Sequence, residues 1–165
     1  MIRIRKHTRE DISYKLKWLS DPYVRYLIGE KPNKKANLKE ELKWFKDYEK
    51  KKNKKFFTIC DNKTPIGFMG LSYIDKVNNN SDLFIIIGDK NYRGKGFGRK
   101  VMMWLLDYGF KKLKLHKIKL QVMEKNTSAI RLYESLGFKN EGKMKGEVYF
   151  NGRYYNLITM AKFNK

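Results

Sequence analysis

The chain is short of several things, and each shortage removes a class of protein. A single cysteine, Cys60, excludes an intrachain disulfide and fits a reducing compartment. Its position in a strand-like apolar run reads as core rather than nucleophile. Three prolines leave little scope for wholesale disorder. The two histidines, His7 and His116, stand far apart beside lysines, and no His/Cys/Asp cluster has metal-site spacing. No apolar run reaches the roughly 18 residues that a membrane helix needs. The opening MIRIRKHTRED alternates charge around no apolar centre, unlike a secretory leader. The expectation is a cytoplasmic protein with no membrane partner.

Carboxylates are scarce as well. Seventeen Asp and Glu face 38 Lys and Arg, for a net charge of +21. The lysines are spread over the whole chain, and the densest run, Lys50–Lys55, reads as a solvated helix end. Such a charge makes a field that attracts anions in general. Nucleic acid or ribosome binding is the natural rival to any enzymatic function. Against it, no known reading motif is present, and the aromatic residues fit core positions better than a stacking stripe.

What remains is enough for a core. Aliphatic and aromatic residues make up 41% of 165 residues, which predicts one domain over 1–165. Ile2–Lys6 alternates as a strand. Thr8 and Asp11 have capping-box spacing ahead of a helix to about Leu19, which Pro22 breaks. Asn37 opens a second helix, Leu38 to about Lys51, with Leu38, Leu42, Phe45 and Tyr48 at helical spacing. KFFTIC and IGFMGLSYI read as strands joined by DNKTP, and Leu83–Ile87 as a third. A helix to about Leu113 follows, then the strand KIKLQVM, then a short helix capped by Asn126 and stopped at Gly137. The chain ends in two strands around Asn151-Gly152, a strong hairpin signal. This order predicts an α+β (mixed α/β) fold with a central twisted, mostly antiparallel sheet flanked by about four helices.

Between the most apolar strand and the longest helix lies NYRGKGFGRK, Asn91–Lys100. Glycines before a helix let consecutive backbone N–H groups converge, and the helix dipole adds positive potential, so a phosphate fits there. The run lacks the Gly-Lys-Ser/Thr ending of a P-loop and the spacing of a dinucleotide fingerprint. A plain loop opening a helix has the same composition.

Arg93-Gly94-Lys95-Gly96-Phe97-Gly98 fits Arg/Gln-x-x-Gly-x-Gly/Ala, and NTSAIRLYESLGF follows with Asn126, Ala129, Tyr133, Gly137 and Phe138. In these motifs and in element order the chain resembles the GNAT superfamily of acyl-CoA-dependent N-acetyltransferases. KWLSDPYVRYL and NEGKMKGEVYFNGRYYNLITM resemble the branch of ribosomal-protein N-terminal and spermidine acetyltransferases. The resemblance implies acetyl-CoA as co-substrate and a primary amine as acceptor. It implies that the amides from Arg93 to Gly98 hold the coenzyme pyrophosphate, and that the pantetheine arm pairs with the strand near Ile86 and Ile87. It further implies that Asn126 hydrogen-bonds that arm and that Tyr133 is the general acid, although a helix cap and a core tyrosine are the plainer readings of those two. Lys95, Arg99 and Lys100 are candidates for the adenosine 3′-phosphate. The walls of the acceptor site are expected at Ser20–Ile28 and at the Asn151-Gly152 hairpin.

Acetyl transfer to an amine needs a neutral nucleophile, a donor to the carbonyl oxygen, a proton for the leaving thiolate, and close positioning. An alkyl ammonium near pKa ~10 must be deprotonated, whereas a protein α-amine near ~8 needs little help. Asp82, at the start of the apolar strand, stands where members of the family it resembles often carry Glu and is on that resemblance the first candidate base, with Glu147 on the terminal hairpin the second; a solvated loop or sheet face is the plainer reading of both. The net charge favours an acceptor on an anionic carrier, such as a nucleotide-linked amino sugar or a ribosome-associated protein N-terminus. A polyamine is the alternative; it would need a local acidic pocket, for which Asp21, Glu30 and Asp82 are available. A non-catalytic acyl-CoA sensor is the remaining reading. Nothing in the sequence sets the oligomeric state.

Overall fold

The computed structural model describes residues 1–28 and 36–164. In chain order the elements are β1 (Ile2–Lys6), α1 (Ile12–Leu19), α2 (Pro22–Ile28), α3 (Leu38–Glu49), β2 (Lys55–Asp61), β3 (Thr64–Asp75) and β4 (Asn80–Ile87), then α4 (Phe97–Asp107), β5 (Lys117–Met123), α5 (Thr127–Ser135), β6 (Lys139–Phe150) and β7 (Arg153–Phe163). The strands make one seven-stranded sheet in the order β1-β2-β3-β4-β5-β7-β6. Only β4 and β5 run parallel, linked through α4; every other neighbour is antiparallel. Among the described residues no helix is long and apolar enough to cross a membrane.

The helices divide between the two faces of the sheet. Val101, Met102, Leu105 and Leu106 of α4 and Tyr133 and Leu136 from the α5 region pack with Ile59, Met69, Leu71 and Leu83. On the opposite face Ile12 of α1 and Phe45 and Tyr48 of α3 close over Phe56 and Phe84. Alternation along the strands makes this possible: Leu83 and Phe84 are neighbours in sequence and serve opposite cores.

Local signals position these elements. The Asn37 side chain accepts from the amides of Lys39 at 2.9 Å and Glu40 at 3.4 Å. Asp11 accepts from the Thr8 amide at 2.9 Å. Asn151 and Gly152, with φ of 47° and 78°, turn β6 into β7, so Phe150 faces Arg153. The sequence reading stops the first helix at Pro22 and leaves Ser20–Ile28 as a connection, whereas most of that stretch is helical. Proline suits the first position of a helix, and Asp21 accepts from the Tyr23 amide at 2.9 Å, so the same residue ends one helix and starts another. The expected helix to Leu113 is α4 continued by a π-helical turn, Tyr108–Lys112.

Candidate active site

The two parallel strands at the centre of the sheet pair only briefly. Asn80, Ser81 and Asp82 of β4 register with Lys117, Ile118 and Lys119 of β5, and there the ladder stops. Beyond Asp82, β4 continues as Leu83–Ile87 with β3 on one side only. Ile85, Ile86 and Ile87 are accordingly half-buried although they lie on a central, apolar strand. A wedge with one open backbone edge thus runs from Asp82 towards the glycine turn. An extended ligand that carries amides can pair with such an edge.

At the open end of the wedge, the chain turns into α4. Gly94 and Gly96 have φ of +71° and +79°, and a Cβ on either would meet nothing within 4 Å. Backbone geometry, not space within the chain, therefore demands glycine at these two positions. Gly98 lies in the first turn of α4 at an ordinary φ, where a Cβ would rest 3.4 Å from Leu132. Gly94, Lys95 and Gly96 are exposed, and Phe97 and Gly98 are half-buried. The first turn of α4 thus offers backbone N–H groups and a dipole end to an anion.

Arg93 behaves differently from its glycine neighbours. Its guanidinium turns inward: Nε donates to the Ile87 carbonyl at 2.9 Å, and a terminal nitrogen donates to the Gly88 carbonyl at 2.6 Å and to Asp21 at 3.2 Å. One side chain thus ties the end of β4, the glycine turn and the start of α2 together. The arginine's charge is spent on these contacts, and the Ile87 carbonyl is already engaged. Sequence reasoning placed Arg93 in the motif but missed this anchor, since nothing local announces Asp21 as a partner.

The helix on the other lip of the wedge is α5. The Asn126 side-chain oxygen accepts from the Ala129 amide at 3.3 Å, so the cap is real and leaves the amide NH₂ for other uses. Tyr133 is buried against Phe138, with ring centroids 5.8 Å apart, and burial pushes its hydroxyl up to about 12. Among the described residues that hydroxyl has no hydrogen-bond partner. Lys95 and Lys100 are exposed, while Arg99 donates to the Ser135 hydroxyl at 2.8 Å and so bridges α4 to α5.

The vertex of the wedge carries Asp82, whose Oδ1 lies 3.3 Å from Lys119 Nζ across the β4–β5 pair. A groove of about 370 Å³ runs beside them, lined by Leu27 and Ile28 of α2, Phe84, and Val148, Leu157 and Thr159 of the last two strands. The expected acceptor walls supply part of this lining: α2 does, and the hairpin does through its strands rather than its tip. Glu147 is exposed in an irregular stretch of β6 between Met144 and Val148, and among the described residues Asp82 is the carboxylate that lines the groove. Of the other carboxylates considered for an acidic pocket, Asp21 is paired with Arg93 and Glu30 lies outside the described residues.

A family model described as Acetyltransferase (GNAT) domain matches residues 2–139. The chain belongs to the GNAT acetyltransferase family. A spermidine N(1)-acetyltransferase of Escherichia coli strain K12 is 31% identical over 98% of this chain and 86% of its own length. An uncharacterised N-acetyltransferase of Bacillus licheniformis is 29% identical over 97% of this chain and 91% of its own. The structure is similar to that of a Vibrio cholerae spermidine N-acetyltransferase in complex with CoA and spermine. The TM-score is 0.91 at 28% identity, covering 98% of this chain and 95% of that one. The protein is therefore an N-acetyltransferase with acetyl-CoA as co-substrate, and the wedge and glycine turn fit a long, amide-bearing, anionic coenzyme.

In this acetyltransferase the second feature missed from sequence is His7. Although lysine and threonine flank it in sequence, it is buried, with Nδ1 2.9 Å from the Thr58 hydroxyl. That hydroxyl donates to Asp11 at 2.7 Å, so the hydrogen between His7 and Thr58 must come from Nδ1. Burial lowers the ring's pKa to about 4, so it is neutral, with Nε2 bare among Trp44, Phe45 and Phe68. Asp11 stays ionised: burial opposes its charge, but hydrogen bonds from Arg5, the Thr8 amide and Thr58 hold the carboxyl below its usual range. Cys60 is buried, and burial pushes its thiol up, away from nucleophile chemistry.

Proposed function

We propose that acetyl-CoA lies in the wedge between β4 and β5 and that its acetyl group passes to a primary amine held in the groove beside Asp82. The observation that carries this is the three-residue β4–β5 ladder that opens directly towards the glycine turn. The amides from Gly94 to Gly98 receive the pyrophosphate, with Arg93 as the anchor of the turn. The pantetheine amides pair with the free edge of β4 around Ile86 and Ile87, and the Asn126 amide NH₂ serves the same arm. The amine attacks the thioester carbonyl, the tetrahedral intermediate collapses, and the C–S bond breaks with Tyr133 donating to the leaving sulfur. Asp82 takes the amine's proton through water, since its pairing with Lys119 and its short side chain are unsuited to direct contact.

The groove supports an acceptor with one ammonium rather than several. Among the described residues Asp82 carries the groove's negative charge, and Lys119 beside it offsets that charge. An amino sugar on a nucleotide carrier and a protein N-terminus, free or on the ribosome, both fit. A polyamine is the second reading, favoured by the spermidine acetyltransferases among the relatives. Thiol release measured with a nucleotide-linked amino sugar, N-terminal peptides and spermidine decides between them. Turnover of spermidine alone overturns the single-ammonium reading, and release with none of the amines overturns the catalytic site.

A further inference from the structure

A second concave surface lies at the other end of α4. It is an open groove of about 790 Å³ between the C-terminal end of α3, the start of β2 and the C-terminal end of α4. Lys55 stands opposite Leu71, and Leu71 opposite Leu83, so this is the end of the sheet away from the glycine turn. The helix alone separates the two by about 16 Å. Among the described residues the two grooves share no lining residue, and they meet only through the core, where Phe56 of this one packs edge-on against Phe84 of the acceptor groove with ring centroids 4.8 Å apart.

Its chemistry is unusual even in a lysine-rich chain. Trp104 and Tyr108 are stacked with ring centroids 5.5 Å apart and an interplanar angle of 14°, and Phe57 meets both edge-on. Trp104 is 37% exposed and Tyr108 half-buried, so the step is backed by the core and open to a ligand. Around it stand Lys6, Lys51, Lys54, Lys55, Lys111 and Lys112, against Glu49 and Asp107. Lys111 is paired with Asp107 at 3.0 Å; the other five lysines have no carboxylate partner among the described residues. Burial, with Lys51 as a like-charged neighbour, lowers the pKa of Lys54. Cations crowded without counter-charges favour a polyanion, and a flat aromatic step favours a planar ring.

We propose that this groove binds single-stranded nucleic acid, with a base stacked on the Trp104–Tyr108 step and the backbone phosphates on the lysines around it. Stacking of a base on an exposed aromatic is tolerant of sequence, and an open groove beside lysines follows a flexible backbone. A duplex hides its base faces and offers only its phosphates to such a step.

The test is fluorescence titration of the full chain with a twelve-residue oligouridylate and with a duplex of equal length. Single strand is expected to bind more tightly and to quench Trp104; Trp104→Phe removes the quench while Trp18 and Trp44 still report. Engagement of about five lysines predicts affinity falling on the order of 100-fold between 50 and 200 mM salt. A Lys51→Gln, Lys54→Gln, Lys112→Gln variant, in which Lys51 and Lys112 are exposed and the half-buried Lys54 gives up only its charge, should bind at least tenfold more weakly. Both variants should retain the acetyl-transfer kcat/KM of the parent. Duplex or heparin binding equal to single strand, or affinity unchanged in the triple variant, overturns the proposal. Lysine-dependent self-association in place of oligonucleotide binding overturns it too.

Discussion

Burial pushes the Tyr133 hydroxyl up to about 12, so the ring holds its proton at any pH near neutrality. A thiol has a pKa near about 8.5, which makes it a stronger acid than this phenol. In the proposed reaction Tyr133 would therefore act by a hydrogen bond that strengthens as charge grows on the sulfur, rather than by full proton transfer. Tyr133→Phe keeps the buried ring and should leave stability and coenzyme affinity nearly unchanged. Its kcat should fall on the order of 100-fold in steady-state assays; parental turnover would return the residue to a packing role. His7 gives a second residue-level prediction. Burial holds its folded pKa at about 4, below the ordinary 6.5. Below pH 6.5 the unfolded chain takes up a proton that the folded chain refuses, so stability is full above 6.5 and declines as pH falls towards 4. The loss is about 3 kcal/mol across that window, and denaturant titrations of His7→Gln should show a flatter pH slope.

At the scale of elements, the glycine turn separates two kinds of glycine. Gly96→Ala forces a left-handed backbone on a residue with a Cβ, which should cost about 1–2 kcal/mol of stability as well as coenzyme affinity. Gly98→Ala meets only Leu132 at contact distance, so its melting temperature should hold while coenzyme affinity drops, because only the ligand is crowded. Calorimetry on both variants distinguishes them; equal destabilisation would remove the distinction. Arg93→Lys should weaken coenzyme binding without touching it, since an ammonium cannot reach Ile87, Gly88 and Asp21 together. The turn itself was legible because glycine clusters and periodicity are local. The mostly antiparallel character of the sheet was legible in outline from the run of elements and the Asn151-Gly152 turn. The helix after Pro22 was not, because proline stops and starts helices alike. Arg93 and His7 were not, because their partners Asp21, Thr58 and Phe68 lie far along the chain or across the sheet.

For the whole molecule, the net charge of +21 acts at a distance and is screened over about 8 Å at physiological salt. If the acceptor is carried on an anion, its kcat/KM should fall as salt rises, whereas that of spermidine should rise; a common salt response would detach the field from acceptor choice. Coenzyme at 100 times its Kd should stabilise the fold by about 2.7 kcal/mol, read as a rise in Tm. The brief β4–β5 ladder has a further meaning. A sheet that parts in its middle is two half-sheets sharing one hinge of three residue pairs, so without coenzyme the protein keeps an interior seam. Those amide hydrogens of Ile85–Ile87 that face the open edge rather than β3 should then exchange quickly in the free enzyme and slow sharply once acetyl-CoA lies in the seam, while those of Ile59 and Met69 stay slow throughout. On the proposed placement the substrate is in this sense the missing strand of the fold, and each turnover re-opens a seam that it had closed.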